Sequence, residues 1–114
     1  MMKWFPILVL LAVAIAAPAF ALEGTLLSQT EGGTSVIVWR SGKAMEEGFS
    51  LIRAKADARI IMPLIACAPR TGTRVVYSPD TEGSMWSGYA WPVTILEGQF
   101  AGCRGFVPSS SLKK

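Results

Sequence analysis

The first 21 residues constrain the rest of the chain more than any other feature. Lys3 is followed by an apolar run over residues 5–17 and then by Pro18-Ala-Phe-Ala21, a small-residue exit of the A-x-A kind. Charge, apolar stretch and small-residue exit, in that order, make a secretory signal peptide. We expect residues 1–21 to be removed and the mature chain to begin near Leu22, exported to the periplasm or secreted. The competing reading is a retained membrane anchor. The unbroken run is shorter than the roughly 20 residues a bilayer core requires, although Trp4 and the flank up to Leu22 bring it close. Pro18 and the exit motif favour cleavage. Residues 60–68 are also apolar, but they are too few and contain Pro63, so no membrane span is expected after cleavage.

Removing the signal leaves about 93 residues, enough for one domain spanning 22–114. A core of that size gains from a covalent staple. The chain has two cysteines, Cys67 and Cys103, and both lie in the exported part. Outside the reducing cytosol they most simply pair with each other. The bridge would close a loop of roughly 37 residues, for which chain entropy gives about 4 kcal/mol. A redox pair would instead favour C-x-x-C spacing, which is absent.

The chain carries 11 Lys and Arg against 8 Asp and Glu, and Lys3 leaves with the signal. That bias is weak, and the arginines are scattered. Nucleic-acid binding draws on a clustered basic patch that neutralises phosphates, so no nucleic-acid partner is expected. There is no histidine, which removes the commonest general base and metal ligand. No phosphate loop, zinc-protease or nucleophile-elbow motif occurs. Asp57, Asp80, Glu82 and Glu97 are isolated carboxylates. We therefore expect no catalytic residue, no metal site, no cofactor and no enzyme.

Short strands between Gly/Pro turns dominate the remainder. Residues 24–28 and 34–39 flank the turn material of residues 29–33 and read as a hairpin or strand pair. Ser41 is placed to cap a helix over residues 43–54, with Met45, Phe49 and Ile52 on one face. Gly48 in its middle costs up to about 1 kcal/mol relative to Ala. Residues 58–68 are ambiguous. Pro63 favours extended geometry before it, while Asp57 can cap a brief helical turn; either way the segment reads as buried. Residues 73–77 form a strand. Trp91, Val93 and Ile95 alternate, so one face of that strand is apolar, and Pro92 suggests an edge or bulge. A short strand over 103–108 and a tight turn at 109–112 follow, with Leu112 placed to plug a core.

Gly72-Thr-Arg-Val, Trp91-Pro-Val-Thr-Ile, Gly98 and Gly102-Cys-Arg-Gly-Phe-Val-Pro108 through Leu112 resemble the C-terminal half of a bacterial SH3-type domain (SH3b-like), over residues 72–112. The resemblance implies a mainly β fold: a small SH3-like barrel carrying an N-terminal strand pair and one short helix as an elaboration over residues 24–56. It also implies a module that binds proteins or cell-wall peptides through exposed aromatics. Trp86, Tyr89 and Tyr77 are the candidate ligand-binding residues, with Trp91 and Phe106 read as core. The expected function is a non-enzymatic exported module recognising a protein, peptide or cell-wall component. The alternative is a structural or inhibitory envelope protein without a small-molecule groove.

Overall fold

The alternation at residues 91–95 sets the frame of the computed structural model, which describes residues 21–28, 32–79 and 89–114. Residues 1–20 of the expected signal segment (1–21) and Trp86 lie outside the described residues. Seven strands occur among those described: β1 (Leu22–Leu26), β2 (Val38–Trp39), β3 (Ile65–Cys67), β4 (Arg74–Tyr77), β5 (Ala90–Ile95), β6 (Arg104–Pro108) and β7 (Leu112–Lys113). They form one antiparallel sheet in the order β3-β2-β6-β5-β4-β1-β7. Helix α1 (Gly42–Arg53) follows β2, and helix α2 (Ala58–Ile61) leads through a 3-10 turn at Met62–Leu64 into β3.

The expected SH3-like barrel is overturned. The two edge strands, β3 and β7, share no ladder, so the sheet stays open. Closure requires strand tilt and stagger to match around the whole ring. The turn at Ser109–Ser111 delivers the two-residue β7 to β1, while the three-residue β3 is held only by β2. The motifs behind the resemblance are local turn-and-strand signals that an open antiparallel sheet uses equally well. Among the described residues there are two helices rather than one. The strand pair is not a hairpin either: β1 pairs with β4 and β7, and β2 with β3 and β6. The Leu26 N–H donates to the Thr73 carbonyl, and Gly72 N–H to the Leu26 carbonyl, which commits β1 to the far end of the sheet.

Side-chain alternation gives the sheet two apolar faces. Leu26, Val36, Val38, Cys67, Val75, Tyr77, Val93, Ile95, Val107 and Leu112 are buried together on the inner face, with Trp91 packed half-buried against them. On the outer face Trp39, Met45 and Ala90 are buried, with Phe49, Ile61, Leu64 and Phe106 against them. Helix α1 covers this second cluster. Ser41 caps it as expected, its hydroxyl accepting from the Ala44 N–H at 3.0 Å.

Pro92 is not on an edge, because β5 is an inner strand. Ile95 N–H donates to the Cys103 carbonyl, so by alternation Pro92 faces the other neighbour, β4. There the Ser78 N–H donates to the Pro92 carbonyl, one step past the end of β4. The missing proline donor thus falls where the ladder stops. Residues 58–64 depart from expectation as well, since none of them is buried. Asp57 caps α2 and turns this segment outward.

Cys67 and Cys103 are joined, as expected, with Cα atoms 6.7 Å apart. The bridge ties edge strand β3 to the start of β6, two places away in the sheet. It fixes an edge that carries few backbone hydrogen bonds of its own.

Candidate functional site

The outer face is covered by α1 at one end only. Beyond the helix, Val76 on β4, Pro92 and Thr94 on β5, and Arg104 and Phe106 on β6 floor a groove of about 360 Å³. Val76 pairs with Thr94, Pro92 with Phe106, and Thr94 with Arg104, so the register alone brings these five together. Ser78 and Arg40 close its sides, and Ala21 lies against one end.

The described lining of this groove carries charge of one sign. Arg40 and Arg104 are exposed, and no carboxylate is among the described residues that line the cavity. Neither guanidinium is in an ion pair with a described carboxylate. The contrast lies near the other sheet edge, where Arg74 donates to Glu23 at 2.7 Å and its backbone N–H donates to the Glu97 carboxylate at 3.0 Å. Glu23, and more weakly Glu97, hold the Arg74 guanidinium even more firmly protonated than usual. That cation is paired within the fold, whereas Arg40 and Arg104 have no carboxylate partner among the described residues.

The expected aromatic residues are dispersed. The Tyr77 side chain is buried on the inner face (6% exposed), its ring edge-on to Trp91 at 5.8 Å between centroids, although the residue also borders the groove. Tyr89 stands exposed (47%) one residue before β5 and does not line the groove. Trp86 falls outside the described residues. Trp91 carries the Lys114 ammonium 4.1 Å above its ring, a cation–π contact. Its indole N–H is buried without an acceptor among the described residues. An unmade bond of that kind costs roughly 1–3 kcal/mol.

Sequence reasoning missed Arg40 and Arg104, reading them as scattered surface charge. Arg104 was within reach: it sits two residues before Phe106 and therefore shares its face. Arg40 has no such signal, because its position depends on β2 reaching β6. Among the described residues, no three His, Cys, Asp or Glu side chains gather where they could hold a metal. No helix there is long and apolar enough to cross a membrane. No protein-family profile, curated protein or solved structure matches this chain.

Proposed function

We propose that this chain is an exported, non-catalytic binding domain whose groove over β4, β5 and β6 takes an extended peptide of the cell envelope bearing free carboxylates. The observation behind this reading is the pair Arg40 and Arg104, in no ion pair with a described carboxylate, beside an apolar floor with no acidic group among its described lining residues. Arginine forks match carboxylates in a bidentate geometry that water does not reproduce. Val76, Pro92 and Phe106 offer the apolar surface that an extended chain covers with alternate side chains.

Export is part of the same reading. The disulfide suits an oxidising compartment. Cleavage after Ala21 would open the end of the groove that Ala21 now lines and leave a third cation, the new ammonium of Leu22, beside it.

The test is a titration of the exported protein with a fluorescent tripeptide carrying a free α-carboxylate and a glutamate side chain. Its fully amidated counterpart is the control. We expect saturable binding that weakens with salt, a loss of roughly tenfold or more in Arg40→Ala/Arg104→Ala, from two charge-assisted contacts, and little binding of the amidated peptide. Equal binding of the two peptides, or no change in the double variant, would overturn the reading.

A further inference from the structure

The corner between α1 and α2 presents large apolar side chains in the open, with cations close to them in the chain. Ile52 is 45% exposed, Ile60 55% and Met62 65%. Arg53, Lys55 and Arg59 are all exposed around them. Asp57 is the sole carboxylate between residues 48 and 64, and Arg59 already holds it at 3.0 Å. The acidic pair Glu46 and Glu47 lies in the middle of α1, five and six residues before Ile52. Beneath the corner, Ile61 and Leu64 pack against the outer-face cluster, and the Arg40 N–H donates to the Leu64 carbonyl. The exposed side chains are thus presented from a fixed base.

Lys55 adds an independent observation. Its φ is +58°, the single non-glycine positive φ among the described residues. Helices commonly end on a residue in this left-handed conformation, and glycine is favoured there because a Cβ makes it unfavourable. The backbone closes normally, Lys55 N–H donating to the Ile52 carbonyl and Ala56 N–H to the Leu51 carbonyl. A lysine thus stands where glycine would stabilise the turn, an outlier that motivates a functional reading of this corner.

Apolar side chains flanked by cations fit a lipid interface, where side chains enter the acyl boundary and cations sit at the phosphates. A protein partner fits less well. A stable protein interface buries roughly 1,200 Å² or more with matched shape, and a corner of three apolar side chains separated by charges does not supply that. A bilayer surface needs no matching shape.

We propose that the α1–α2 corner docks this domain on an anionic membrane surface. Ile52, Ile60 and Met62 enter the interface, and Arg53 and Lys55 pair with lipid phosphates.

The experiment is co-sedimentation of the exported protein, its N-terminus fixed by intact mass, with phosphatidylcholine vesicles with and without phosphatidylglycerol. We expect binding only with the anionic lipid, weakening as salt rises. Ile60→Ser/Met62→Ser should bind roughly tenfold more weakly, given the apolar area removed. Lys55→Gly should bind about fivefold more weakly, the contribution of one cation at the surface, while its melting temperature stays level or rises. That opposite movement separates lost docking from lost folding. Wild-type protein that stays in the supernatant overturns the proposal. So does equal retention of the wild type and both variants, the result expected of a chain held by its N-terminal segment alone.

Discussion

The two faces of the sheet are stabilised in different ways. On the inner face ten buried residues share the load, most of them valine, isoleucine or leucine, and every strand contributes at least one. On the outer face one ring dominates. Trp39 is fully buried, edge-on to Phe49 at 5.6 Å, and α1 is seated over it. A face built from many similar side chains loses a little with each change. A face built around one side chain has a single point of failure.

The largest expected effect breaks that contrast most directly. Trp39→Ala should cost about 3–5 kcal/mol, because burial is lost and a large cavity is left. Ile95→Val, fully buried on the inner face, should cost only about 1 kcal/mol. Urea melts measure both. Similar losses for the two variants would mean that α1 collapses readily onto the gap and that Trp39 is no keystone.

A sharper test reverses the usual sign of a helix-propensity change. Gly48 sits in the middle of α1, where replacement by alanine gains about 1 kcal/mol from propensity alone. Here a Cβ at position 48 would run into the six-membered ring of Trp39. Overpacking of this kind costs about 1–3 kcal/mol, so Gly48→Ala should destabilise. In Trp39→Leu the same substitution should become neutral or favourable, since the ring that it meets is gone. A stabilising Gly48→Ala in the wild type would show that the helix can lift off the sheet.

That glycine marks the limit of what the sequence discloses. The inner face was legible, because Trp91, Val93 and Ile95 repeat with the period of a strand and Leu112 follows a turn that can bring it inward. Ser41 as a cap was legible too, being a local interaction over three residues. The partner of each strand was not. The Gly32-Gly33 pair suggested a hairpin between β1 and β2, whereas long-range pairing sends these strands to separate parts of the sheet. Barrel closure failed as an expectation for the same reason, since it depends on the two edge strands meeting and no local motif encodes that. Gly48 looked like a cost to the helix until Trp39 was known to lie beneath it. Arg40 and Arg104 looked like scattered charges until β2 and β6 were known to be neighbours.

The smallest expected effect sits at the corner where the outer-face cluster gives way to solvent. Asp57 accepts from the Arg59 N–H at 2.9 Å and pairs with its guanidinium at 3.0 Å. Both interactions, the side-chain one first, hold its carboxyl below the ordinary value of 3.8. The folded chain therefore binds this proton less readily than the unfolded chain does. The contribution of the cap is complete above the ordinary value and is lost as pH falls through the depressed one. Asp57 is fully exposed, so the effect should be local. Amide signals of Arg59 and Ile60 should move toward disordered values in acid, while methyl signals of Val93 and Val107 hold steady over the same range. Asp57→Asn keeps a capping oxygen but cannot titrate, and it should flatten that pH response without unfolding α2. If the Arg59 amide titrates at or above the ordinary carboxylate value, the pair with Arg59 is not formed in solution. If the inner-face methyls move together with it, the corner is not the independent, loosely held unit that its exposure indicates.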